Sequence, residues 1–328
     1  MRLPAVAVPK SGVEKYLRDL LRKGIVDKRF HIRKSGDFIL IPLLPGHSSI
    51  ATSMEEFSRR SFPDDPMIQI RKELESLGIP GPFPDKWVRY GNSIMFNSKG
   101  YISATAAEVY ARVLNVKSVY QKAGNVSGTT RNPGVKLLHG VRGEIIHREN
   151  GVRYVFDPEL VMFSPGNVGS RGHTDLETAG REVIDFYSGI GYFSLPIARY
   201  GSPLSVTCVD INPTAIHFLE KSARINKVSR KVRTIVGDST ILKPGKKYDI
   251  GIMGNFGAID ALGSLVGNLK GGGSFVIHHL VRTEDMGHPE NRVLSRLESI
   301  GIRGKVLYSR TVKSYAPHQW HVETAIEL

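Results

Sequence analysis

The chain has 328 residues, a formal net charge of +14 at pH 7 and one cysteine, Cys208. That length can bury a sizeable core and allows two or three domains. A lone cysteine excludes an internal disulfide and any cysteine-built metal site. No apolar run approaches the roughly 20 residues of a membrane span, and no long apolar segment follows Met1-Arg2.

The expectation from these facts is a cytoplasmic protein with no membrane partner. Its basic balance favours a polyanion, nucleic acid first, although a generally basic proteome would produce the same sign.

In chain order, residues 5–8 read as a strand. Ser11 and Glu14 have capping-box spacing, which predicts a helix from Ser11 to Lys23 with Gly24 as its stop. Residues 38–41 predict a second strand ended by Pro42. Arg29, His31, Arg33 and Lys34 cluster before it, as a solvated face or an RNA contact. Residues 62–84 are rich in Pro, Gly and Asp and read as a linker with one short helix, 67–77. Strands are expected within 87–96 and at 117–120, 136–139 and 144–147, with a helix over 104–114. The polar loop 124–134 carries Arg131, which can reach a phosphate or base edge or merely cap the loop.

A turn-rich piece, 164–171, precedes a segment with capping-box spacing at Thr174 and Glu177. It can fold over a ligand pocket. There Ser164 offers a hydroxyl and Arg171 a fixed cation for the carboxylate of a methionine moiety.

The chain then shows a chemical pattern. The apolar run Val183-Ile184 ends in Asp185, turns on Gly189 and Gly191, and becomes helix-compatible. The glycines allow close backbone approach to a nucleotide-like ligand. The next strand, 206–209, ends in Asp210, suited to a ribose hydroxyl pair. After a helix over 213–226, the strand 232–236 leads to Asp238 and Ser239, where an acid can accept from an adenine amino group. A fourth strand, 248–253, opens into Gly254 and Asn255. Acids at three successive strand tips look like an S-adenosylmethionine fold. Ser194 stands where a dinucleotide fingerprint would have its third glycine, which argues against NAD.

Toward the end, residues 271–278 read as turn then strand, 291–300 as a helix, and 305–308 with 322–326 as an antiparallel pair. His278 and His279 face opposite ways in a strand, each as polar core or pocket lining. His318 and His321 have three-residue spacing without a third ligand nearby, so no metal is expected.

The stretches 162–167 (Met162 to Asn167), 185–193 (Asp185 to Phe193), 210–213 (Asp210 to Pro213) and 313–318 (Lys313 to His318) together resemble the tRNA guanine-37 modification superfamily. One branch holds the guanine-37-N1 methyltransferases. The other holds the wybutosine-synthesising aminocarboxypropyltransferases. The resemblance covers roughly residues 85–328, and the first 60 residues are similar to a small N-terminal domain that some members carry.

It implies an α/β chain: a class I, Rossmann-like S-adenosylmethionine-dependent transferase fold over 161–328, a mixed middle domain over 61–160 facing RNA, and a small N-terminal α/β domain over 1–60. The methyltransferase branch has an Asn-Leu-Pro type motif after the fourth strand; here Gly254 takes the asparagine position, as in the aminocarboxypropyl branch. Relatives of both branches carry Glu before the loop arginine, where this chain has Ser170, so no proton acceptor is identified.

The implied reaction transfers the 3-amino-3-carboxypropyl group of S-adenosylmethionine to 4-demethylwyosine at position 37 of tRNA(Phe), releasing methylthioadenosine. By resemblance Ser164, Arg171, Asp185, Gly189, Gly191, Asp210, Asp238, Ser239 and Gly254 form the S-adenosylmethionine site, and Arg131 is a candidate for positioning the base. The implied partner is the tRNA(Phe) anticodon loop, with no DNA, no obligatory protein partner and no metal. A guanine-37 or wyosine-intermediate methyltransferase is the first alternative, and a non-catalytic tRNA-binding protein the second.

Overall fold

A computed structural model describes residues 1–59, 65–97, 100–124, 128, 133–163, 171 and 176–328. These divide into two compact units, Met1–Ile68 and Gln69–Leu328.

The first unit runs β1 (Arg2–Pro9), α1 (Val13–Arg22), β2 (Arg33–Ser35), β3 (Phe38–Pro42) and β4 (Ser53–Glu56), in an antiparallel sheet of order β2-β3-β1-β4. Leu3, Ala5, Phe30, Leu40 and Phe57 form one small core; Val8, Leu20, Ile25, Val26 and Ile41 form another.

The helix stops at Gly24 (φ 67°) as expected. It does not begin with the capping box. Gly12 sits at the N-cap with φ 92° and no side-chain cap bond. An acceptor cap needs an extended residue there, and the left-handed glycine displaces Ser11 from that role. Strands β2 and β4 carry no apolar alternation, and every residue of β2 is exposed; they exist because β3 and β1 offer open edges. Of the basic cluster, Arg29 is bonded to the buried Asp27, and Arg33 is paired with Glu55.

In the second unit α2 (Pro66–Ser76), which starts at the unit boundary, leads to β5 (Val88–Tyr90), β6 (Ser93–Phe96), α3 (Ala104–Val113), β7 (Ser118–Lys122) and β8 (Val135–Gly140). Their sheet, β5-β6-β7-β8, is mixed. The β6–β7 pair is parallel, joined through α3, and its neighbours are antiparallel. Ser103 starts α3 by accepting from the Ala106 amide. A hairpin follows, β9 (Ile145–Glu149) and β10 (Val152–Phe156), turning at Asn150 and Gly151, both at positive φ.

The rest of the unit is β11 (Glu182–Asp185), α4 (Ser194–Tyr200), β12 (Ser205–Asp210), α5 (Pro213–Ile225), β13 (Val232–Val236), β14 (Tyr248–Met253), α6 (Leu262–Leu265), β15 (Leu269–Arg282), α7 (Asn291–Glu298), β16 (Lys305–Ala316) and β17 (Gln319–Glu327). They build a seven-stranded sheet, β13-β12-β11-β14-β15-β17-β16, parallel from β13 to β15 and antiparallel beyond. Asn212 caps α5 by accepting from Thr214 and Ala215, with Pro213 at its first turn.

The parallel strands read as continuous apolar runs because both faces are covered. Val183, Val206, Cys208 and Ile250 belong to one core layer; Ile184, Val209, Phe275 and Ile277 belong to the other. The first layer also takes in Tyr90, Met95 and Tyr120, so the mixed sheet shares the core of the parallel one. Among the described residues no helix is long and apolar enough to cross a membrane.

Candidate active site

The strand order reverses at β11, which has β12 on one side and β14 on the other. In such sheets the crevice outside the strands' carboxyl ends is where ligands bind. All the acids singled out from the sequence sit at those ends, on β11, β12 and just after β13.

The glycine turn is held by two carboxylates in different ways. Asp210 accepts from the Gly189 amide at 2.7 Å and from the Asn212 amide at 2.9 Å, so it joins the turn to the start of α5. It remains half-buried, with an edge toward the crevice. Asp185 is wholly buried. Ser194 Oγ lies 2.5 Å from its Oδ2, and the Tyr187 amide donates to its Oδ1 at 3.3 Å. Asp185, expected at the ligand itself, therefore acts only through the turn. Its burial, with Asp210 adding to it, pushes its carboxyl up to about 7.

Gly189 and Gly191 have φ of 53° and 94°. At Gly191 a Cβ would lie 2.6 Å from Leu195 Cγ and 3.2 Å from Leu219 Cγ. This glycine is required by helix packing behind the turn, not by approach to a ligand. Ser188 closes the turn to β12 through its amide and hydroxyl on the Val209 carbonyl.

After β13, Asp238 is exposed and its Oδ1 accepts from the Thr240 amide and hydroxyl; these bonds lower its carboxyl below the usual range. Ser239 is buried against the Tyr187 phenol, whose pKa burial raises. Tyr187 was not singled out from sequence. Its signal was available: an aromatic two residues past the first acid, at the tip between the other two.

Arg171 departs from its expected role. Its guanidinium is buried and bonded to both oxygens of Glu149 at 3.2 Å. It lies 4.6 Å from the Tyr192 ring centroid and 5.1 Å from that of Phe163. Tyr90, His147, Tyr154 and Phe156 complete the aromatic surround, and the Tyr90, Tyr154 and Tyr192 hydroxyls bond to the carbonyls of Phe163, Tyr192 and Met162. Arg171 thus braces the chain after Phe163 rather than presenting a bare cation to a methionine carboxylate. Glu149 was missed because its partner is 22 residues away and on a different element. Ser164 and Arg131 lie outside the described residues.

The opposite wall begins at Gly254. A Cβ there would lie 2.9 Å from Phe193 Cε2. Phe193, on the glycine turn, stacks on His278 with ring centroids 4.6 Å apart. Asn255 is exposed and caps its own turn by accepting from the Gly257 amide at 3.0 Å. Phe256 then meets His321 and Tyr315 edge-on. Burial and the charge of Arg171 lower the Lys313 amine, which places the C-terminal hairpin beside the Arg171 brace.

Gly254→Asn should displace the Phe193 ring from His278. Turnover is expected to fall about 100-fold, the scale of an ångström-sized misplacement, with the fold retained by circular dichroism. Undiminished turnover would show that the wall is not built on this glycine.

Comparisons with known proteins agree with this geometry. Residues 145–306 match the TRM5/TYW2 methyltransferase domain, residues 5–51 the tRNA methyltransferase 5 N-terminal domain, and residues 72–143 the TYW2 N-terminal domain. The tRNA (guanine(37)-N(1))-methyltransferase Trm5b of Pyrococcus abyssi is 29% identical over 333 residues, covering 97% of both chains. The tRNA(Phe) (4-demethylwyosine(37)-C(7)) aminocarboxypropyltransferase of Pyrococcus horikoshii is 31% identical over 245 residues, covering 73% of this chain and 87% of that one. The crystal structure of P. horikoshii TYW2 in complex with MeSAdo superposes with a TM-score of 0.65 at 27% identity, over 79% of this chain and 98% of that one. With its strand-tip acids, its glycine turn and these matches along its length, the chain belongs to the TRM5/TYW2 family.

Proposed function

We propose that the chain transfers the 3-amino-3-carboxypropyl group of S-adenosylmethionine to 4-demethylwyosine at position 37 of tRNA(Phe), in its anticodon loop, releasing methylthioadenosine. The observation that carries this reading is Gly254. Where the methyltransferase branch would need an asparagine side chain at the end of β14, Phe193 fills the space, and a Cβ would meet its ring at 2.9 Å. Asn255 is turned to its own backbone and cannot substitute.

The residues present suit an S-adenosyl group. Asp210 offers remaining lone pairs beside the Gly189 turn for ribose hydroxyls, and Asp238 with Ser239 stands at the next tip for an adenine amino group. Tyr187 lies between them. Ser164 and the loop after Phe163 would close over the methionine end, and Arg131 would position the base. The donor supplies a sulfonium that activates three carbons; the one placed in line with the nucleophile is attacked. What the protein must do is orient Cγ rather than the methyl, and hold the ring in a water-poor crevice.

The second reading is a guanine-37 methyltransferase. It is favoured by the match to Trm5b along 97% of both chains, N-terminal domain included. One assay separates the two. With tRNA(Phe) carrying 4-demethylwyosine and doubly labelled S-adenosylmethionine, carboxyl label should enter the tRNA and methyl label should leave as methylthioadenosine. Entry of methyl label alone would replace the first reading by the second.

A further inference from the structure

The C-terminal strands hold a buried chain of polar groups that the cofactor site does not use. His278 of β15 and Glu323 of β17 are register partners, and His321 lies two residues from Glu323, so all three share one face of the sheet. All are almost fully enclosed: His278 and Glu323 are 1% exposed and His321 0%. His278 Nδ1 and His321 Nε2 are 2.9 Å apart. His278 Nε2 is 3.7 Å from Glu323 Oε2. Glu323 Oε1 accepts from Arg310 and from the Tyr308 hydroxyl, at 2.8 and 2.9 Å. Among the described residues, His278 Nε2 and His321 Nδ1 have no hydrogen-bond partner.

The tautomers follow from this arrangement. Burial and neighbouring positive groups lower both imidazoles well below their usual range, His321 to about 4, so both rings are neutral. One proton lies between them. If His278 held it on Nδ1, its bare Nε2 would face the Glu323 carboxylate, lone pair against negative charge. If His321 holds it on Nε2, His278 carries N–H on Nε2, toward Glu323. The second state is favoured electrostatically. It leaves His321 Nδ1 as a bare acceptor.

That acceptor sits in the crevice wall. Phe193, on the glycine turn, stacks on His278; Phe256, two residues past Gly254, lies edge-on to His321 at 4.8 Å. A buried acceptor without a partner costs free energy unless something completes it.

We infer that His321 Nδ1 is the proton acceptor for the modified base, with His278, Glu323 and Arg310 as a relay behind it. This rests on the proposed transfer. In that reaction a ring carbon bonds to Cγ, the Cγ–S bond breaks with its electron pair remaining on sulfur, and one ring proton is released. His321 Nδ1 takes that proton, and its Nε2 proton can pass to His278 Nδ1 as the His278 Nε2 proton moves toward Glu323. Charge is thereby shared toward a carboxylate instead of resting on one buried ring.

Two measurements test this. Long-range nitrogen–proton NMR of histidine-labelled protein should show His278 and His321 both protonated on Nε2 and bare on Nδ1. A proton on His321 Nδ1 would overturn the inference even if variants failed to fold. In single turnover, His321→Ala should lose about 100-fold in aminocarboxypropyl transfer, keep S-adenosylmethionine and tRNA affinity, and be partly restored by added imidazole. Full activity of His321→Ala sinks the inference, as does a loss that imidazole does not touch. Wild-type protein that transfers only methyl label would sink the underlying reaction instead, and the two failures are distinguishable.

Discussion

Glu149→Ala is expected to destabilise the protein by about 3–5 kcal/mol, the cost of leaving one member of a buried ion pair alone. The side chains of Arg171 and Glu149 are only 3% and 6% exposed, and both carboxylate oxygens meet Arg171 Nη1. Removing the acid strands a guanidinium among Phe163, Tyr192 and the buried tyrosines. Burial raises the Glu149 carboxyl, so this pair does not gain from solvent; it holds because each charge is the other's only compensation of opposite sign named there. Replacing both by apolar residues of similar volume, Glu149→Leu with Arg171→Met, should return most of the stability while loosening the chain after Phe163. Urea unfolding of the single and double variants checks both statements. A loss below about 1 kcal/mol for Glu149→Ala, the scale of an exposed pair, would contradict this account of the brace.

Stability is also expected to fall as pH rises from about 4 to about 7, because of Asp185. Its carboxyl titrates near 3.8 when unfolded and near 7 when buried in the native turn. Between those values the native state binds the extra proton, so the stabilisation is full below the unfolded value and is lost as pH rises through the folded one. The difference corresponds to about 4 kcal/mol, taking roughly 1.4 kcal/mol per unit. Asp185→Asn should remove this slope. An amide can still accept from the Tyr187 amide and donate to Ser194, as the protonated acid does. The variant should therefore match wild type near pH 4 and exceed it near pH 8 in chemical denaturation. Equal pH profiles for the two proteins would show that Asp185 is ionised at little cost in the folded turn.

The parallel half of the sheet was legible from sequence because it is doubly covered. Runs such as 206–209 and 248–253 are apolar throughout, and each ends in a turn or an acid. The glycine turn and the acids at positions 185, 210 and 238 were visible for the same reason: local spacing carries them. The edges were less legible. Strands at 33–35 and 53–56 have no periodic signal, and the terminal pair extends to Lys305–Ala316 and Gln319–Glu327, well past the segments expected. Strand β16 is half-exposed along its length, so its pairing depends on β17 and not on its own pattern.

The sequence by itself determined the parallel sheet, the glycine turn, the order of the acids, and the absence of a side chain at Gly254. These are local or periodic properties, written in residues close together in the chain. Only the tertiary structure decided what each group faces. It turned Asp185 inward as a brace, gave Arg171 to Glu149, explained Gly191 by Leu195 and Leu219, and brought His278 to within hydrogen-bonding distance of His321, 43 residues later. Those outcomes depend on burial and on partners from distant elements, and burial sets both the charge state and the free valence of a polar group.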